Sequence, residues 1–151
     1  MNAKGSMAEP NVLLIMADQM AAQALPVYGN SVVKAPNLSS FADEGVVFDN
    51  AYCNSPICAP SRFSMLTGRL PSSIDAFDNA SEFSADNPTL AHHLVNYGYS
   101  TALSGKMHFV GPDQLHGFEQ RFITDIYPAD YSWTPDWRKG EREAPTGISV
   151  K

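Results

Sequence analysis

The sequence places several chemically versatile side chains where a folded chain could bring them together. Asp18 and Lys106 each follow an apolar run that predicts a buried strand, and His108 comes two residues after Lys106. Cys58 and Arg62 lie at the start of a predicted helix. Ligands of open α/β sheets bind beyond the carboxyl ends of the strands, so we expect these residues to share one rim. A helix N-terminus adds N–H donors there, and the pattern indicates a site for a tetrahedral oxyanion ester bound with a divalent cation.

Each of these residues also has an ordinary structural interpretation. Asp18 could simply turn the chain after a strand, Lys106 could be a solvated loop charge, and His108 could be structural. Arg62 could pair with a nearby acid, and Cys58 could be a small buried hydrophobe. The residue types taken one at a time therefore leave both interpretations open.

The elements that must position these residues alternate between strand and helix. The apolar run at 12–16 is too short for a stable helix and predicts a strand buried on both faces of a parallel sheet. The predicted strands are 12–16, 46–48 and 99–104, the predicted helices are 38–44, about 58–68 and 90–97, and loops are expected at 71–88 and from 111 onward. This order is typical of an α/β fold with a mostly parallel sheet flanked by helices.

The composition is that of an ordinary globular protein, with 151 residues, 44% hydrophobic and 17% charged. The net charge of -6 argues against a nucleic-acid or anionic-membrane partner. The longest apolar run is far shorter than the ~20 residues that a membrane span requires. Cys53 and Cys58 lack the C-x-x-C spacing of a redox or zinc motif, and two cysteines cannot form a disulfide scaffold.

Three segments together resemble the type I sulfatases. Residues 58–69 resemble the family signature, a Cys-x-Pro-Ser-Arg pattern followed by a Thr-Gly step. The segment Lys106-x-His108, which directly follows a glycine, resembles the second signature of that family. The predicted strand that ends at Asp18 resembles the first metal motif of the family. The resemblance implies an alkaline-phosphatase-like α/β fold and the hydrolysis of sulfuric esters.

The same resemblance implies a role for each of these residues. Cys58 would be oxidised to formylglycine, whose hydrate attacks sulfur with one hydroxyl and releases the alcohol. It would then expel sulfate when the second hydroxyl loses its proton. Asp18 and the modified Cys58 would bind a divalent cation, with Ca²⁺ favoured over Mg²⁺. Arg62 would orient the formylglycine, Lys106 would contact sulfate and the diol, and His108 would take the proton.

Further stretches resemble the choline-sulfatase subfamily. They are 78–80, 91–94, 102–121, 124–130 and 133–136. In that subfamily the positions of Asn79 and Trp133 line the substrate pocket. The tryptophan contacts the quaternary ammonium, which cannot donate a hydrogen bond and is recognised by aromatic faces. Gln19 stands where many sulfatases have a second aspartate, and we do not expect this neutral amide to bind the metal directly.

The resemblance extends over residues 11–137, which we predict to be the N-terminal part of a sulfatase catalytic domain. Residues 1–10 are expected to be a disordered N-terminus or a cloning scar, and 138–151 a polar segment. The implied partners are a small-molecule sulfate ester, choline sulfate; the remainder of the sulfatase chain or a second fragment; and further copies in a homo-oligomer. The subfamily is intracellular, so we expect a cytoplasmic protein.

Two alternatives remain open at the level of sequence. One is another sulfatase, or a phosphonate monoester hydrolase of the same superfamily, with the same nucleophile and a different alcohol pocket. The other is a catalytically silent fragment that lacks the later residues of the site.

Overall fold

The computed structural model describes residues 9–123 of the chain. The chain divides into two compact units, with the boundary between Ala51 and Tyr52. Within residues 9–123, no helix is both long enough and apolar enough to cross a membrane.

The described part of the first unit, residues 9–51, contains one α-helix, α1, which spans Pro36–Glu44. Proline suits the first position of a helix because its missing N–H would have no partner there. The helix predicted at 38–44 is confirmed and begins two residues earlier. Two short 3-10 turns, Ala22–Ala24 and Pro26–Tyr28, precede it.

Two predicted strands in the first unit are wrong. Residues 12–16 and 46–48 form no strand, and the side chains of Leu13 and Ile15 are each 83% exposed rather than buried. A parallel strand needs hydrogen-bonded neighbours, and its side chains become buried when helices cover both faces of the sheet. Residues 9–51 contain no strand that could pair with either run.

The described part of the second unit, residues 52–123, contains two further helices and a small sheet. Helix α2 spans Cys58–Thr67 and helix α3 spans Leu90–Asn96, so the predicted helices at these places are confirmed within two residues. Strand β1, Ala102–Ser104, pairs in parallel with strand β2, Gln120–Ile123. A short 3-10 turn, Pro71–Ser73, lies in the long loop between α2 and α3.

The sheet corrects two expectations from the sequence. The strand predicted at 99–104 is confirmed only for its last three residues, and residues 120–123 form a strand where a loop was expected. Those four residues lack an apolar run, and their strand is defined by pairing with β1, with Leu103 opposite Arg121. The combination of helices with a parallel pair of strands confirms the α/β class.

An aromatic core supports the elements of the second unit. Phe63 of α2 stacks on Phe83 with 4.2 Å between ring centroids, and Phe83 lies 5.8 Å from Phe109. Met107 joins the same cluster. The core therefore packs against both α2 and the loop that follows β1, which are the two segments that carry Cys58, Arg62, Lys106 and His108.

Candidate active site

Cys58 is the first residue of α2, and its side chain is half-buried. Nζ of Lys106 lies 3.6 Å from its Sγ atom. The N-terminus of a helix carries a partial positive charge, and here an ammonium group adds to it. This positive electrostatic environment favours an anionic group, either at residue 58 itself or in a ligand bound beside it.

Arg62 ties α2 to the loop that follows β1. It lies four residues after Cys58, and therefore on the same face of the helix, and only 5% of its surface is exposed. Its Nη1 atom donates a 2.8 Å hydrogen bond to the backbone carbonyl of Lys106 and lies 3.9 Å from Sδ of Met107. The guanidinium thus fixes the backbone from which the Lys106 side chain extends toward the cysteine.

His108 is buried and held in an uncommon backbone conformation. Its φ angle is +61°, in the left-handed region, and it lies between the buried side chains of Met107 and Phe109. Its Nε2 atom lies 3.1 Å from the backbone carbonyl oxygen of Asn79. Left-handed residues other than glycine persist only where the surrounding structure over-determines them, as at active sites.

Asn79 contacts the helix as well as the histidine. The N–H of Ala59, the second residue of α2, donates a 3.0 Å hydrogen bond to Oδ1 of Asn79. The structure therefore brings Asn79 together with the four predicted catalytic residues. Sequence reasoning missed this contact to the helix. The available signal was the run of turn-forming residues at 78–81, whose side chains readily bond to nearby backbone.

The other residues that the sequence singled out belong to the first unit or lie outside the described residues. Asp18 and Gln19 are exposed residues of the first unit, and Gln19 has a φ angle of +57°. Trp133, together with the stretches at 124–130 and 133–136, lies outside the described residues. Within residues 9–123, no three His, Cys, Asp or Glu side chains come together in a way that could hold a metal ion. The described residues therefore do not by themselves form a metal site.

Comparison with known proteins decides the family. The family model described as Sulfatase matches residues 10–144. The chain belongs to the sulfatase family. Its fold is the alkaline-phosphatase-like α/β fold of the sulfatases, of which the described helices and parallel strands form a part.

Individual sulfatases and a related hydrolase align over most of this sulfatase chain. It is 56% identical to a choline-sulfatase of Rhizobium meliloti over 135 residues, which is 89% of this chain and 26% of that protein. The solved structure of a protein in complex with its substrate, D-glucosamine-2-N,6-O-disulfate, matches with a TM-score of 0.61 and 37% identity. The match covers 66% of this chain and 20% of that protein chain. The phosphonate monoester hydrolase of Agrobacterium radiobacter matches with a TM-score of 0.67 and 26% identity. The match covers 87% of this chain and 29% of that enzyme. The chain spans about a quarter of the length of the curated relatives that it matches.

Proposed function

We propose that the protein hydrolyses sulfate esters at residue 58, after conversion of Cys58 to formylglycine, and that its substrate is choline O-sulfate. The observation that carries the reaction class is the Lys106 ammonium 3.6 Å from the Cys58 thiol at the N-terminus of α2. The ammonium group and the helix N-terminus both stabilise the negative charge of a sulfate ester and of its transition state. The 56% identity to a choline-sulfatase supports the choice of substrate.

Each described residue has a defined task in this proposal. The formylglycine hydrate supplies two hydroxyls. One attacks sulfur and releases the alcohol, and deprotonation of the other expels sulfate and regenerates the aldehyde, so the second step needs no attacking water. Lys106 offsets the negative charge of the sulfate group. Arg62 keeps the Lys106 backbone in place through its 2.8 Å hydrogen bond. His108 accepts the proton in the second step.

The divalent cation remains part of the proposal on the strength of the resemblance alone. Asp18 and the modified Cys58 are its proposed ligands, with Ca²⁺ favoured over Mg²⁺, and we assign no step to it. The cation is tested by dialysis against a chelator followed by addition of each metal. Full activity after chelation, with no metal detected in the protein, would contradict this part of the proposal.

The substrate is tested by steady-state kinetics with choline sulfate and an aryl sulfate. We expect the larger kcat/KM for choline sulfate, and a clear preference for the aryl ester would overturn the choline assignment.

In the same preparation, the peptide containing residue 58 should be about 18 Da lighter than its unmodified form, since an aldehyde replaces the thiol. An active enzyme that contains only unmodified Cys58 would contradict the mechanism.

A phosphonate monoester hydrolase is the second candidate. It is favoured by the structural match to the Agrobacterium radiobacter enzyme over 87% of this chain. Both reactions displace an alcohol from a tetrahedral centre that carries negative charge, so the same ammonium and helix N-terminus would serve either. A higher kcat/KM for a phosphonate monoester than for both sulfate esters would select this candidate.

A further inference from the structure

Asn79 contacts two catalytic elements at once, one through its side chain and one through its backbone. Its Oδ1 atom accepts the N–H of Ala59 at 3.0 Å, and its carbonyl oxygen lies 3.1 Å from Nε2 of His108. Asn79 is 20 residues from Ala59 and 29 from His108 in sequence. One residue therefore links the helix that presents the nucleophile to the loop that presents the proposed base.

The first turn of α2 requires a hydrogen-bond acceptor from elsewhere in the chain. The N–H groups of a helical first turn have no partner within the helix, and a side chain at the N-cap usually accepts one of them. The N-cap residue here is Ile57, whose side chain cannot accept a hydrogen bond. Ala59 is completely buried, so its N–H has no access to water, and Asn79 supplies the missing acceptor.

The contact with His108 selects one form of the imidazole. A backbone carbonyl only accepts hydrogen bonds, so Nε2 of His108 must carry a hydrogen to bond to the Asn79 carbonyl. In the neutral ring the basic nitrogen is then Nδ1. The Asn79 carbonyl thereby decides which ring nitrogen can accept the proton in the proposed reaction.

The turn that holds Asn79 is itself well braced. Oγ of Ser81 accepts the N–H of Phe77 at 2.9 Å and of Asp78 at 3.0 Å. Oδ1 of Asp78 accepts the N–H of Ala80 at 2.8 Å. These bonds fix the backbone on both sides of Asn79, so its two contacts are held in one geometry.

We propose that Asn79 is a positioning residue, which sets the direction of the first turn of α2 through its side chain and the tautomer of His108 through its backbone. This inference rests on the proposed function and differs from the substrate contact that the family resemblance implies for the same residue. A positioning residue acts on kcat, whereas a substrate contact made equally in the ground state acts on KM.

The test compares Asn79→Ala with Asn79→Asp in the full-length protein acting on choline sulfate. Alanine removes the acceptor. We expect kcat, calculated per molecule that carries formylglycine, to fall up to about a hundredfold, while KM stays within about threefold of the wild-type value. Aspartate keeps an oxygen at the same place, where the helix N-terminus favours its charge, and should restore most of kcat. Asn87→Ala is the matched control, because Asn87 accepts a 2.9 Å hydrogen bond from Arg69 outside the site, and its kcat should equal that of the wild type.

The outcomes separate this inference from the proposed function. If Asn79→Asp is slower than Asn79→Ala and has a raised KM, the residue contacts the sulfate group and the positioning role is overturned. Wild-type kcat in Asn79→Ala overturns it as well. A wild-type protein that carries formylglycine and hydrolyses no sulfate ester overturns the proposed function, and this inference with it. If Asn79→Ala does not fold, Asn79→Asp is compared with the wild type: a kcat and a KM close to those of the wild type support the positioning role, and a raised KM overturns it.

A spectroscopic measurement tests the backbone contact independently of activity. In protein labelled with ¹⁵N-histidine, the His108 resonances are assigned by their loss in His108→Gln. We expect Nε2 to be the protonated nitrogen in both the wild type and Asn79→Ala, because the carbonyl of residue 79 is present in each. A neutral ring that is protonated at Nδ1 would overturn the role assigned to the carbonyl.

Discussion

Cys58 and Lys106 make the contact from which the proposed chemistry starts. The thiol and the ammonium are 3.6 Å apart, although the two residues are 48 positions apart in the sequence. Residue 58 also lies at the positive end of α2, so a nucleophile formed there would face an anionic ester from a favourable electrostatic environment.

Replacement of Cys58 by serine should trap the first half of the reaction. A serine hydroxyl can attack sulfur and release the alcohol, but it has no second hydroxyl with which to expel sulfate. Incubation of Cys58→Ser with choline sulfate should therefore yield a protein heavier by about 80 Da and a single release of choline. Intact-mass spectrometry measures the adduct, and multiple turnovers by this variant would contradict the mechanism. Cys53→Ser is the control, because Cys53 is an exposed free cysteine and its loss should preserve turnover.

Arg62→Lys should reduce both stability and kcat. Lysine lacks the planar fork of arginine and would lose the 2.8 Å bond to the Lys106 carbonyl, at a cost of about 2 kcal/mol in the free energy of unfolding. Because that carbonyl belongs to the loop that carries Lys106 and His108, the change should also lower kcat. Urea unfolding and steady-state kinetics measure the two effects. Arg69→Lys is the matched control on an exposed arginine, and equal losses in the two variants would argue against the special position of Arg62.

At the scale of elements, helix α3 and the loop before β2 pack closely around one glycine. The N–H of Thr89 donates to Nδ1 of His92 at 3.1 Å, and Oγ1 of Thr89 donates to the carbonyl of His116 at 2.6 Å. The ring of His92 covers Gly117, whose φ angle is +91°. A Cβ atom at position 117 would lie 2.5 Å from Nδ1 of His92, so both the conformation and the space require glycine.

Gly117→Ala should therefore destabilise the protein more than Gly98→Ala. Gly98 has a similar φ angle of +86° but has no atom within 4 Å of its would-be Cβ, so alanine there costs only the left-handed strain of about 1–2 kcal/mol. Alanine at position 117 adds the clash with the His92 ring, for a total of about 3–4 kcal/mol. Urea denaturation measures both, and equal losses would show that the His92 ring moves aside without cost.

At the scale of the whole molecule, a buried histidine makes stability depend on pH. His116 is fully buried, with its ring 4.2 Å from that of Phe83 and 4.4 Å from that of Phe109. Burial lowers the pKa of His116 below its ordinary 6.5, and the nearby Asp113 carboxylate only partly offsets this effect. Burial raises the pKa of Asp113, but backbone N–H donors at Leu115 and His116, together with charge interactions with the His116 and His92 rings, bring that pKa below its ordinary value.

Stability should fall as the pH is lowered from 7 through the ordinary histidine pKa of about 6.5. Below that value the unfolded chain binds a proton that folded His116 does not bind, and the loss levels off below the folded pKa. His116→Asn removes the ionisable ring at a position whose φ angle of +43° asparagine tolerates, and should flatten this dependence. The urea concentration at the midpoint of unfolding, measured at several pH values across this range, tests the prediction. If it changes with pH equally in the wild type and in His116→Asn, His116 is excluded as the cause.

Local signals predicted the helices well and the strands poorly. Pro36 begins α1, Gly68 ends α2 with a left-handed φ angle of 66°, and Thr89 caps α3. Each signal acts within a few residues, so it can be read from the sequence. Strands depend on partners, so the apolar run at 12–16 gave a false prediction while residues 120–123 became a strand beside β1.

The sequence by itself determined which residues are the candidates for the proposed chemistry, since Cys58, Arg62, Lys106 and His108 lie in motifs whose residue types and spacing resemble those of the sulfatases. Only the tertiary structure decided how they are held. The bond from Arg62 to Lys106 spans 44 residues, and the two contacts of Asn79 span 20 and 29. No local preference encodes such distant pairs, because they follow from how the aromatic core packs α2 against the loops at 77–83 and 105–110.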